Sequence, residues 1–90
     1  MKIVNPATEE VIRELQEDMN ASVKQKWEQL KAAQPVWHQV ALKDRIQVLQ
    51  NFSDLLARDI EALAAVLTSE VGKPLQQARN EVNGARARIQ

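Results

Sequence analysis

The sequence predicts a mainly α-helical chain that opens on a β-hairpin: a hairpin over residues 1–15, then about four helices over 20–34, 41–57, 59–71 and 74–90. Three observations carry this reading. Two β-branched pairs, Ile3-Val4 and Val11-Ile12, flank an Asn5-Pro6 turn, and such runs around a turn dipeptide signal paired strands. Beyond Asn20 the apolar residues recur at helical spacing and no further strand candidate follows. Finally, Glu70-Val71-Gly72-Lys73-Pro74 closes one helical pattern and opens another within five residues. Gly72 suits the left-handed position that ends a helix. Pro74 suits the first turn of the next one, where its missing N–H would have no partner anyway.

The hairpin is the element least able to stand alone, because an isolated two-stranded pair is marginal in water. With no third strand to join it, an incomplete chain is expected. The first helix has two candidate caps, Asn20 and Ser22, and Ser22 with Gln25 has the capping-box spacing. Val23, Trp27 and Leu30 fall on one face, with Glu28 and Lys31 expected on the opposite, solvated side. Pro35 should end or kink this helix, since it removes an N–H and crowds the preceding turn. Trp27 and Trp37 read as core residues: three aromatic residues and no basic cluster argue against a base-stacking platform.

The second helix carries two apolar stripes, Leu42, Ile46, Leu49 and Leu56 beside Val48, Phe52 and Leu55. An arc that wide is expected to be buried on more than one side, which makes this helix the central element. Asp54 and Arg58 are spaced for an i,i+4 ion pair. Asp59 is a candidate N-cap for a third helix with the stripe Ile60, Leu63, Ala64 and Leu67. No Gly or Pro lies between Ala41 and Val71, so one kinked helix in place of two is also open. The fourth helix has Leu75, Ala78, Val82, Ala85 and Ile89 on one face and many small residues, which would let a neighbour approach closely. Its pattern is still running at Gln90, a second sign of a chain that belongs to something longer.

Ninety residues allow one domain. A chain this short buries roughly 60–65% of the surface it would expose unfolded, so its stability is marginal. The 44% hydrophobic content argues against disorder, and zero net charge supplies no field to recruit nucleic acid or a membrane. The absence of cysteine removes disulfides, thiolate metal sites and a cysteine nucleophile. No secretory signal follows Lys2 and no apolar run approaches the ~20 residues of a membrane span, so a cytoplasmic setting is expected.

No catalytic, cofactor-binding or metal-binding residue is assigned. Glu9-Glu10 and Glu17-Asp18 are sequence neighbours whose side chains diverge, whereas acid–base work needs convergence. His38 is the only histidine, and a metal site needs three or four ligands. With Gly72 and Gly84 the only glycines, a glycine-rich phosphate loop is excluded. Lys73, Arg79, Arg86 and Arg88 against Glu81 are too sparse for a nucleic-acid footprint and suit ion pairing.

Taken in order, Asn5-Pro6-Ala7-Thr8-Glu9-Glu10-Val11-Ile12, Trp37, Arg45, Leu49, Phe52, Leu55, Leu56, Glu61, Ala62, Leu63, Leu67, Glu70-x-Gly72-Lys73-Pro74, Ala78, Glu81 and Val82 resemble the N-terminal region of the NAD(P)-dependent aldehyde dehydrogenase superfamily. The resemblance covers nearly the whole chain but only the first fifth or so of such an enzyme. One departure is visible: the family's turn commonly has glycine where this chain has Glu9. The resemblance implies the outer hairpin and leading helices of a coenzyme-binding domain. It also implies a parent reaction in which a cysteine attacks an aldehyde, hydride passes to NAD or NADP, and a glutamate-activated water hydrolyses the thioester. Those residues would all lie beyond Gln90, so the 90-residue chain is expected to be inactive and to bind neither dinucleotide.

Two other readings stand beside a piece of an oxidoreductase. One is a free-standing helical protein–protein interaction module, and the other a small structural bundle of unrelated ancestry. Self-association of the isolated chain is expected, as a homodimer or larger. Val48, Phe52 or Leu55, with the stripe around Val82 and Ile89, would otherwise face water, at roughly 1.5–3 kcal/mol of forgone burial per side chain. The remainder of a parent enzyme is the other expected partner.

Overall fold

A computed structural model describes all 90 residues. The elements are β1 (Lys2–Val4), β2 (Val11–Glu14), α1 (Asn20–Gln39), α2 (Leu42–Arg58), α3 (Ile60–Val71) and α4 (Leu75–Ile89). The mainly helical class with an N-terminal antiparallel hairpin agrees with the sequence reading.

The hairpin pairs Lys2 with Glu14, Ile3 with Arg13 and Val4 with Val11, with a bulge between Ile3 and Val4 that leaves Ile12 as the extra residue. Its turn is built by Asn5, whose Oδ1 accepts from the N–H of Ala7 (2.8 Å) and Thr8 (3.3 Å). Glu9 sits at φ 64°, the left-handed conformation glycine adopts without cost. The position where glycine is common is thus the left-handed one, and the Glu9 N–H bond to Asn5 O (2.8 Å) holds it.

Helix α1 departs most from expectation. It continues through Pro35 to Gln39 instead of stopping at residue 34. Proline's φ is helical, and it disrupts a helix through one lost hydrogen bond and crowding of the preceding turn. No residue of α1 is buried, so water can take the freed carbonyl. The helix then ends at Val40, whose N–H bonds Trp37 O at 3.1 Å. The N-cap is Met19, not Asn20 or Ser22. Ser22 acts from inside the first turn: its Oγ accepts the Met19 N–H and lies 2.9 Å from Asp18 Oδ1. Asp18 also accepts from Lys26 Nζ, and these bonds, Lys26 foremost, hold its carboxyl below the ordinary value.

The chain breaks between α2 and α3 at Asp59 (φ −103°, ψ 15°), giving two helices and not one kinked helix. Asp59 ends α2 through its N–H to Leu55 O and starts α3 through its carbonyl, which accepts from Leu63 N. Its carboxylate does not cap; it binds the Arg58 guanidinium. That replaces the Asp54–Arg58 pair expected from spacing, and Asp54 instead accepts from Gln50.

The helices that pack are α2, α3 and α4; each touches both of the others, but α4 packs extensively on both while α2 and α3 barely meet. The centre of the fold is thus α4, not α2. Three small residues are buried there, one per helix: Ser53, Ala64 and Ala78. Small side chains allow close approach of backbones, so contact is made without burying large apolar groups. Those remain outside. Trp27 is 55% exposed, Trp37 44% and Leu30 71%, which overturns the core reading of both tryptophans. Leu42, Ile46, Val48, Leu49, Phe52 and Leu55 of α2 also face water.

The radius of gyration is 17.2 Å over a 48 × 36 × 16 Å body, against about 12 Å for a compact domain of this length. The accessible surface of 7493 Å² exceeds by about 2,200 Å² that of a compact monomer of this mass. The chain is a flat, open assembly.

Candidate functional site

Two features distinguish the surface: a built corner between α3 and α4, and wide apolar faces on α1 and α2.

The corner turns at Gly72, in the left-handed conformation at φ 75°, with its N–H on Thr68 O at 2.9 Å. Pro74 occupies the N-cap of α4, one residue before the position expected for it, and its carbonyl accepts from Ala78 N at 3.0 Å. The hairpin turn lies against this corner. A Cβ placed on Gly72 would stand 3.0 Å from Pro6 Cγ, so any other residue there would have to push Pro6 aside. Asn5-Pro6 and Gly72-Lys73-Pro74, far apart in sequence, meet here. Gly84 differs: nothing lies within 4 Å of where its Cβ would be, so it is not a point of close approach.

Charge pairs brace the corner. Arg79 binds Glu61 through two parallel bonds, Nε to Oε1 and a terminal nitrogen to Oε2, both 2.8 Å, tying α4 to α3. This is the fork-to-fork geometry that makes arginine specific for carboxylates. The hydrogen bonds from Arg79 lower the Glu61 pKa, and those to Glu61 raise that of Arg79. Lys73 bonds Glu81 within the corner. Two of the basic residues read as ion-pairing groups are thus engaged, while Arg86 contacts Asn83.

No three His, Cys, Asp or Glu side chains converge to hold a metal ion. His38 is exposed in the last turn of α1, and Glu9 and Glu10 are exposed in the hairpin turn. A concavity of about 420 Å³ is lined by Gln16 to Met19, Ala21 and Ser22, the bend where the chain enters α1. A second, of about 370 Å³, is an apolar notch between Leu30, Ala33, Gln34 and Trp37. In the first, the Ser22 hydroxyl meets Asp18, but that carboxylate is already held by Lys26; the second has no titratable side chain. What this surface offers is contact: Lys31 lies over the Trp27 ring at 4.6 Å, on the flank of the apolar face and not opposite it. No helix is long and apolar enough to cross a membrane.

The sequence profile of the aldehyde dehydrogenase family matches residues 1–90, the full chain. The chain belongs to the aldehyde dehydrogenase family. Its curated relatives include malonate-semialdehyde dehydrogenase 1 of Shouchella clausii, 44% identical over 89% of this chain and 16% of the relative. Another is a probable NADP-linked succinate-semialdehyde dehydrogenase of Sinorhizobium fredii, 33% identical over 98% of this chain and 18% of the relative. The structure superposes with a TM-score of 0.94 on glyceraldehyde-3-phosphate dehydrogenase GapN of Methanocaldococcus jannaschii, crystallised with NADP. That match has 26% identity and covers 99% of this chain and 20% of the other. This aldehyde dehydrogenase chain therefore spans about a sixth to a fifth of the length of the relatives it matches, and corresponds to their N-terminal region.

Sequence reasoning found both halves of the corner but not their meeting. The available signal was the pairing of two demanding turns, Asn-Pro and Gly-Lys-Pro, on otherwise regular elements.

Proposed function

We propose that this chain is the leading part of the coenzyme-binding domain of an NAD(P)-dependent aldehyde dehydrogenase, an enzyme that oxidises an aldehyde to a carboxylic acid. One observation carries the reading: the family match runs over every residue, and the fold superposes on one-fifth of a dehydrogenase crystallised with NADP. The role of these residues is structural. The corner at Gly72 and the Arg79–Glu61 fork set the angle between α3 and α4, and the hairpin turn locks onto that corner through Pro6. The 90 residues alone are inactive and bind no dinucleotide. A cytoplasmic setting belongs to the same proposal. The relatives named for malonate, succinate and glutarate semialdehydes favour an aldehyde bearing a carboxylate as the parent's substrate.

A chimera tests this. The matching segment of the Shouchella clausii malonate-semialdehyde dehydrogenase is replaced by residues 1–90, and NAD(P)H formation from malonate semialdehyde is followed. Activity within about tenfold of the parent, a change of about 1.4 kcal/mol in the barrier, is the expected result. A folded chimera without activity would overturn the reading.

A further inference from the structure

We propose that the 90-residue chain pairs with a second copy of itself through the outer face of α2, in an antiparallel, two-fold symmetric arrangement centred between Asn51 and Phe52. The inference does not rest on the functional reading above; it follows from the apolar face and the charges of this helix.

Val48, Phe52 and Leu55 recur at i, i+4 and i+7 and form one stripe on α2. All three are about half exposed. Ser53, the buried residue of α2, lies about a third of a turn away from the stripe. The helix thus spends one side on its packed neighbours and leaves this second apolar side to water.

Two observations select a second copy as the occupant. The first is the order of charges. Asp44-Arg45 stands near the start of α2 and Arg58-Asp59 at its end. These two couples, and Val48 with Leu55, mirror each other about the Asn51–Phe52 junction. At about 3.6 residues per turn, Asp44 and Arg58 fall on one flank of the stripe, with Arg45 toward the other and Asp59 at the stripe's end. Antiparallel helices set like flanks against each other, so Asp44 of each copy meets Arg58 of the other, and Arg45 meets Asp59. Asp44 has no ion-pair partner within the chain. Arg58 holds Asp59 through Nε and one terminal nitrogen, which leaves the other terminal nitrogen to donate. Arg45 Nε finds no acceptor within the chain. Antiparallel pairing also lays the positive end of each helix dipole beside the negative end of the other. The apolar stripe of α1 shows no mirrored order of acids and bases.

The second observation is area. A stable interface takes roughly 800 Å² per partner, and the open chain exposes about 2,200 Å² more than a compact monomer of its mass. Zero net charge leaves no long-range repulsion between copies.

Sedimentation equilibrium of the 90-residue chain tests this. Over roughly 1–200 μM the mass should rise to twice the 10.2 kDa of one chain, with a dissociation constant on the order of 10 μM. Val48→Glu puts a carboxylate in the apolar stripe and should weaken the dimer at least about 100-fold. Leu30→Glu, on α1, should leave it unchanged. Asp44→Arg and Arg58→Glu test the order of charges. Either variant alone sets like charges together at both ends and should weaken its homodimer about tenfold. Mixed in equal amounts, the two variants should form a heterodimer near the original affinity, because both ends regain opposite charges. Helical circular dichroism of each variant separates lost pairing from lost folding. A monomer throughout the range would overturn the proposal and leave the face to a different occupant. So would a dimer that survives Val48→Glu and is broken by Leu30→Glu, which would place the contact on α1. Weakened homodimers that do not recover on mixing would refute the antiparallel order.

Discussion

Helix α1 and the α3–α4 corner both carry apolar residues at helical spacing and end in opposite states. At the corner the helices touch through alanines, Ala64 and Ala78 are fully buried, and Arg79 clasps Glu61. On α1 the largest apolar side chains of the molecule stand in water. The difference lies in what each can reach. Small residues let two helices of this chain approach each other, and that contact completes itself. Tryptophan and leucine at the spacing of a seam need an opposing surface of matching shape, which these 90 residues do not supply. A large exposed apolar area on a helix is the mark of an interface.

The comparison can be broken at the corner first. Ala78→Leu forces three extra carbons into a fully buried site and should cost about 1–3 kcal/mol, read as a lower urea midpoint of the helical signal. An unchanged midpoint would mean that α4 does not pack as described. Gly72→Ala combines a left-handed backbone with a Cβ at 3.0 Å from Pro6 and should cost about 1–2 kcal/mol. The hairpin amides should also exchange faster with solvent, because the substitution pushes Pro6 away; unchanged hairpin exchange would show that Pro6 does not depend on this corner.

The two glycines sharpen the contrast. Gly84→Ala meets open space within a helix and should raise stability by up to about 1 kcal/mol. A loss there would reveal a neighbour at Gly84.

The Glu61–Arg79 fork sets a pH dependence of smaller size, since Glu61 is largely exposed. Its folded pKa lies below the unfolded value. The linkage therefore adds stability above the unfolded pKa and loses it as pH falls through the folded one. Glu61→Gln should flatten the acid limb of the stability profile; a parallel profile would remove the fork from the account.

The smallest effect belongs to α1. Leu30→Ala should change the stability of the 90-residue chain by less than about 0.5 kcal/mol, and α1 amides should exchange faster than those of α3 and α4. A large loss would mean that Leu30 already has a partner within the chain.

Much of the architecture was legible because it is local. Strand pairs around Asn5-Pro6, a left-handed stop at Gly72 and helical periodicity after Asn20 are decided by backbone sterics and the spacing of neighbours, and these follow from residue identity. The position of Glu9 at positive φ was legible too, as a departure from the family's glycine. The expected stop at Pro35 failed because proline's effect depends on whether the freed carbonyl can be solvated, and α1 is exposed along its length. Asp59 failed as a side-chain cap because Arg58 took its carboxylate, a competition that spacing does not rank. Only the tertiary structure decided that α4 is the centre, that Pro6 rests on Gly72, and that both tryptophans lie outside. Periodicity tells which residues share a face; whether that face is covered depends on what else the chain brings to it. For α1 and α2, this chain brings nothing large enough.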